Sequence, residues 1–307
     1  MIYLLLLLMV FAWSANFIVA KYALRELPPF ALLFLRVLLS NVLLLAIYFG
    51  RRQHRRRPVQ RGDWRWFGLL GLFGIAMNQT GFTVGINYTS VSHSSLIIAT
   101  TPVYVLILAT WMRLERLTRM KAAGLALAFT GVVALTLEHG VGARSPTLLG
   151  DMITLGGAVA FAFYTVYGKH VSGRYDPLSY TTFTYLAGAL VVVPAAGWQL
   201  LFVEWQQVAW RGWLGVVYMA AVASVAAYMI FYYARTKIAA TRVIMFSYLQ
   251  PVCATTLGIL ILGERITPLL LTGGALVLAG VALAERGRTQ EHETTDAHPS
   301  ASLGAGR

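Results

Sequence analysis

Carboxylates are the side chains best able to carry protons or ions through an apolar protein, and this chain has twelve. They are Glu26, Asp63, Glu115, Glu138, Asp151, Asp176, Glu204, Glu264, Glu285, Glu291, Glu293 and Asp296. Each falls at the end of an apolar run, in a connecting stretch or in the polar C-terminal stretch. Proton coupling in a bilayer usually uses an ionisable group within the hydrocarbon, so a relay at the midplane is not expected here. No metal-ligand cluster, His-Glu-x-x-His pair or phosphate-binding Gly-x-x-x-x-Gly-Lys loop is present. No cofactor or metal is expected, and the absence of Gly-x-Ser-x-Gly argues against a serine hydrolase.

The remaining chemistry is that of binding. Trp13 is the one tryptophan in the middle of an apolar run, and Asn16 follows three residues later on the same helix face. Phe161 and Tyr164 repeat that spacing. Asn78, Gln79 and Thr80 interrupt another apolar run, and adjacent amides cannot both face lipid cheaply. Ser224 and Tyr228 are spaced i, i+4. Thr100 and Thr101 precede Pro102; Ser247, Tyr248 and Gln250 precede Pro251. Aromatic faces with a few polar tips suit a small, partly apolar solute. The site expected from these residues is Trp13, Asn16, Asn78, Gln79, Thr100, Thr101, Phe161, Tyr164, Ser224, Tyr228, Ser247 and Gln250, with ordinary interhelical packing as the competing explanation. Pro102 and Pro251 free a carbonyl one turn earlier, which fits a hinge or gate as well as a fixed kink. Lys21 and Lys169 end two apolar runs and are expected either at the mouths of a pathway or snorkelling to headgroups. Arg36 lies about 9 Å into the second run at 1.5 Å per residue and is expected to be structural, in a peripheral helix. His93 is expected to be a satisfied helix-end residue rather than a proton carrier.

The elements that must position these groups follow from composition. Of 307 residues, 58% are hydrophobic and 12% charged, against about 25% charged in soluble domains. Ten apolar runs are long enough to cross about 30 Å of hydrocarbon: 2–24, 30–50, 65–86, 93–112, 119–137, 149–171, 178–202, 210–234, 242–262 and 267–285. None alternates as a barrel strand would. The fold class is an all-α membrane protein, without a signal peptide to be cleaved. The net charge of +13 is a topology signal rather than a nucleic-acid footprint. One set of alternate loops carries 18 Lys and Arg and the other 5. That bias places both termini in the cytoplasm of a multi-pass plasma-membrane protein.

The chain also repeats itself. Lys21/Lys169 and Pro29/Pro177 are 148 residues apart, and Pro102/Pro251, Glu115/Glu264, Thr118/Thr267, Gly124/Gly273 and Gly131/Gly280 are 149 apart. Two halves, 1–138 and 147–285, then hold five spans each, before a tail at 286–307 expected to be disordered. Five is odd, so the second half enters the membrane inverted. Such repeats let a central site open alternately to the two sides. Thr118 and Thr267 sit where N-caps belong, and the glycine pairs suit close internal packing.

These residues carry a resemblance. Trp13-Ser14-Ala15-Asn16-Phe17 ending at Lys21, Pro29 and Arg36, Gly150-Asp151, and the doubled Pro–(x12)–Glu-x-x-Thr with spaced glycines together resemble the EamA family of the drug/metabolite transporter superfamily. The resemblance covers residues 2–285. It implies ten helices as a 5+5 inverted repeat around a central cavity lined by spans 1, 3, 4, 6, 8 and 9. It further implies transport of a small metabolite, often export of an amino acid, in a bacterial inner membrane. A membrane-embedded enzyme or a non-transporting sensor is the alternative. The partners expected are that solute and the bilayer, with no nucleic acid; monomer and homodimer are both open.

Overall fold

The computed structural model of the chain describes residues 2–50, 59–113, 117–137, 146–171, 173–238, 246 and 248–297. Arg51–Arg57, Glu115, Arg116, Glu138, Arg144, Arg242 and the expected site residue Ser247 lie outside them. Ten helical spans run through the described residues, with no strand among them. They are α1 (Ile2–Ala23), α2 (Pro29–Gly50), α3 (Arg61–Tyr88), α4 (Val91–Trp111), α5 (Arg119–Leu137), α6 (Pro146–Tyr167), α7 (Pro177–Ala196), α8 (Trp210–Ala234), α9 (Leu249–Leu262) and α10 (Pro268–Ala297). Seven of these spans, α1–α4 and α6–α8, are long and apolar enough to cross a bilayer; α9 and the apolar part of α10 are shorter.

Helix ends are marked by local chemistry. Asp176 caps α7 by accepting from Leu178 N and Ser179 N, with Pro177 in the first turn. Thr118 Oγ1 accepts from Lys121 N at 3.3 Å, and Thr267 Oγ1 from Leu270 N at 3.0 Å, so the matched threonines both cap. Gly263, at φ 69°, ends α9 in the left-handed region that favours glycine. At the C-terminus the helix continues to Ala297, past the boundary at 285 beyond which the sequence predicts disorder. Good helix formers continue there, among them Arg286, Arg288, Gln290 and Glu291.

Hydropathy alone does not reveal which face of an all-apolar helix meets lipid; packing does. Leu6, Met9 and Val10 of α1 are buried, whereas Leu4, Leu7, Leu8 and Phe11 stay exposed on the outer face. Across the molecule the contacts obey a pseudo-two-fold. The α2–α7, α5–α10 and α4–α9 contacts map onto themselves when the halves are exchanged, while α1–α8 maps onto α3–α6 and α3–α7 onto α2–α8. Small residues permit the closest of these approaches. A Cβ at Gly131 of α5 would meet Gly273 O of α10 at 2.6 Å. Gly131→Leu is therefore expected to cost about 1–3 kcal/mol by overpacking, measured as a lower thermal midpoint of the detergent-purified protein.

Three spans depart from regular α-helix where the cavity will be. α4 breaks at Thr100, and a second helix starts at Thr101 with Pro102 in its first turn. Pro102 removes the donor that Ile98 O would otherwise have. The threonines replace it: Thr101 Oγ1 donates to Ile98 O at 2.6 Å and Thr100 Oγ1 to Ile97 O at 2.5 Å. α3 and α8 contain wider π-helical stretches, Gly71–Met77 and Tyr218–Ala226. These occupy matching places in the two halves, a symmetry that hydropathy does not reveal.

Candidate functional site

Between the halves lies a cavity of about 220 Å³, lined by α1, α2, α3, α4, α6, α8 and the start of α9. Its walls come from the positions just described. The π-helical stretch of α3 delivers Asn78 and Gln79, and that of α8 ends just before Tyr228. Such stretches often mark functional sites. They also leave carbonyls to be satisfied from elsewhere. Trp13 Nε1 donates to Ala223 O, in the α8 stretch, at 3.0 Å. That bond aims the indole across the cavity toward Tyr228 and Phe231, whose ring centroids lie 5.8 and 5.6 Å away. Asn78 Nδ2 donates to Gly157 O of α6 at 3.0 Å, and Tyr228 OH donates to Asn78 Oδ1 at 3.5 Å. Gln79 Nε2 donates to Tyr185 OH at 2.7 Å.

Of the residues expected from sequence, the cavity brings together Trp13, Asn16, Asn78, Gln79, Thr101, Phe161, Tyr228 and Gln250, with Pro102, Pro251 and Lys169. Thr100 is not on the wall; it is buried within the bundle, 1% exposed. Tyr164 is buried in the core beside Gly74, whereas the i, i+3 spacing places it with Phe161 on the wall. The lining face of α6 is instead the i, i+4 pair Phe161 and Thr165, and the row reaches Lys169 in the 3-10 turn that follows the helix. Tyr164→Ala is accordingly expected to lower stability by about 3–5 kcal/mol, as large core truncations do, and to leave solute affinity unchanged. Unfolding midpoint and solute titration separate the two effects. Ser224 is fully buried behind the wall and accepts from Arg36 Nε at 3.0 Å. Lys21 lies off the cavity, within electrostatic reach of Glu264.

Arg36 is the main correction. The sequence predicts a structural role in a peripheral helix, yet Arg36 lines the cavity and is only 4% exposed. Depth along the span is legible in the sequence, and part of the face is too: Ser40 follows Arg36 at i+4 and is buried with it, a polar pair that points this side of α2 inward. The cavity also takes in Phe17, Phe82, Ser95, Ile98, Ala99, Val105, Thr165, Phe231 and Tyr248. The i, i+4 repeat from Phe161 is the one signal that points to Thr165.

The two ends of the cavity differ. At one end the lining reaches Lys169, which is exposed. Arg174, whose Nη2 also donates to His170 O next to Lys169, holds Asp63 through Nη1 at 2.7 Å, and Tyr175 OH donates to Asp63, also at 2.7 Å. Burial pushes the Tyr175 phenol up, so it stays protonated and donates. At the other end the halves close. Glu264, before α10, caps α4 by accepting from Val91 N at 2.6 Å, Ser92 N at 3.0 Å and Ser92 Oγ at 2.5 Å. A carboxylate there complements the helix dipole. Asp151 accepts from Thr89 Oγ1 at 2.5 Å and faces His93 Nδ1 at 3.3 Å. His93 is 2% exposed and Asp151 1%. Asp151 thus lies near a helix end, as expected, but buried and partnered. Among the described residues, no three of His, Cys, Asp and Glu converge as a metal site.

Comparison with known proteins gives a consistent picture. An uncharacterized transporter of Archaeoglobus fulgidus is 30% identical over 288 residues, covering 92% of this chain and 96% of that protein. A probable amino-acid metabolite efflux pump of Salmonella typhimurium is 27% identical, covering 90% and 91%. One solved crystal structure superposes with a TM-score of 0.64 at 20% identity, over 92% of this chain and 97% of that one, which speaks to the fold. The EamA-like transporter family matches at residues 1–137 and again at 148–285. The chain is a multi-pass membrane protein that belongs to the EamA-like transporter family.

Proposed function

We propose that the chain is a secondary transporter that exports a small metabolite, such as an amino acid, by alternating access between its inverted halves. One observation carries this reading: a cavity lined by both halves reaches exposed Lys169 at one end, while toward the other end the halves are joined by Glu264 on Val91 and by Asp151 facing His93. A channel would need an open path, and a purely structural bundle would need no cavity. The loop charge bias puts the Lys169 end in the cytoplasm, so this conformation faces inward, ready to load solute for export. Pro102 and Pro251 both open helical segments beside the cavity and act as hinges in the exchange of conformations. The efflux name borne by the Salmonella relative agrees with the direction.

With no acid on the cavity wall among the described residues, movement follows the solute gradient rather than an embedded carboxylate. The test is counterflow of radiolabelled amino acids by the purified protein in liposomes. Saturable exchange above that of protein-free liposomes is the expected result. Absence of exchange for amino acids and for a panel of other small metabolites would overturn the reading. Uphill accumulation driven by a pH gradient would overturn the coupling statement alone.

A further inference from the structure

Among the described residues, the cavity holds a buried cation with no acid to balance it. Arg36 Nε donates to Ser224 Oγ at 3.0 Å, and the guanidinium carbon lies 5.7 Å from the Phe82 ring centroid. Its Nη1 is buried and has no hydrogen-bond partner among the described residues. No described Asp or Glu is on the cavity wall, and Lys169 adds a second positive charge at the open end. Three carboxylates near the two ends are engaged elsewhere: Asp63 with Arg174 and Tyr175, Asp151 with Thr89 and His93, Glu264 at the start of α4. A guanidinium removed from water is costly unless it is paired, and a hydroxyl with one aromatic face compensates only in part.

Two acceptors on the same wall lack donors. Gln79 Oε1 and Asn16 Oδ1 are both buried without a partner among the described residues. Gln79 gives its Nε2 hydrogen to Tyr185 OH, and its carbonyl oxygen has no donor among the described residues. An unmet cationic donor, two unmet acceptors and a wall of aromatic rings describe the complement of a ligand. The geometry points to Arg36 as the anchor for the carboxylate of the transported solute. A hydrogen-bond donor near that carboxylate reaches Gln79 and Asn16, and the apolar remainder lies against Trp13, Phe161 and Phe231. The planar fork of arginine matches a carboxylate in two bonds where lysine offers a point charge. This assignment rests on the reading of the cavity as a transport site and adds its selectivity: a carboxylate is required, and its amide or decarboxylated amine is rejected.

The experiment titrates purified protein with L-phenylalanine, phenyllactate, phenylalaninamide and phenethylamine, with sodium chloride at equal ionic strength as control. Thermal midpoint and tryptophan fluorescence are read for wild type, Arg36→Lys and Arg36→Gln. The expected result is half-saturation by the two acids at least about tenfold below that of the amide and amine, equivalent to 1.4 kcal/mol. Arg36→Lys keeps that preference with weaker binding, which also guards against mere misfolding of Arg36→Gln, where the preference disappears. Equal response to acid and amide, full preference in Arg36→Gln, reproduction of the shift by chloride, or no response to either acid at about 1 mM, the upper end of usual KM values, would each overturn the assignment. Counterflow separates this from the transport reading. Flux of solutes with no carboxylate preference defeats only the anchor, and carboxylate binding without flux defeats only transport.

Discussion

Trp13→Ala lowers solute flux at least about tenfold per folded molecule, if loss of one cavity wall costs the roughly 1.4 kcal/mol that corresponds to a decade. The indole contributes in two ways. Its ring forms an edge contact with Tyr228 and a tilted one with Phe231, and its Nε1 donates to Ala223 O in the π-helical stretch of α8. Truncation removes the wall and takes a donor from that carbonyl, which costs about 1–3 kcal/mol when the group is buried and left unsatisfied. Flux and thermal midpoint therefore fall together in Trp13→Ala. Trp13→Phe separates the contributions: an aromatic ring is kept, so flux stays within a few-fold of wild type while the midpoint still drops. Initial counterflow rates at matched protein content, beside unfolding curves, make the measurement. A Trp13→Ala variant with wild-type flux would remove α1 from the solute path.

Glu264→Ala loosens the closed end. Glu264 accepts from Val91 N, Ser92 N and Ser92 Oγ, so it joins the second half to the first helix turn of α4. It is half-buried, so its charge is partly screened and its contribution is that of a good cap rather than of a buried ion pair. Loss of a cap costs about 0.5–2 kcal/mol, which changes an equilibrium by a factor of roughly 2–30 at about 1.4 kcal/mol per decade. Hydrogen exchange across 91–95 should accelerate by that factor, while the 146–167 segment changes less because Asp151, Thr89 and His93 still hold it. Glu264→Gln keeps an acceptor and falls between. Unchanged exchange at Val91 and Ser92 would show that the cap is not what holds this end closed.

Much of the architecture is legible in the amino-acid sequence, for reasons that differ by feature. The ten spans and the two halves are legible because lipid selects for long apolar runs and a duplicated segment keeps its turn chemistry, as in Thr118 and Thr267. Asn16, Asn78, Gln79 and Tyr228 are legible because a polar group in an apolar run needs protein or a cavity beside it. The faces of helices without polar residues are not legible. In α2 Ser40 follows Arg36 at i+4 on the same face, a polar pair that marks the inward side, and packing against α8, where Ser224 lies, buries both. Tyr164 pairs with Phe161 at a spacing of three, but the row that lines the cavity runs at four. The wide turns at Gly71–Met77 and Tyr218–Ala226 shift hydrogen bonds without changing hydropathy, so no apolar pattern reveals them. Asp151 sits near a helix end in sequence and is buried in space because α6 packs beside the start of α4.

The central claim is that one cavity is reached from each face of the membrane in turn. Ala99 lines that cavity, and Cys253, the one native cysteine, is removed by Cys253→Ala to leave Ala99→Cys as the sole thiol. Membrane-impermeant thiol reagent is applied to one face of oriented vesicles at a time. Alternating access predicts modification from both faces, faster from the face bearing Lys169, with the opposite face gaining rate in Glu264→Ala. Modification from a single face only, in both backgrounds, would contradict the account and leave a dead-end pocket.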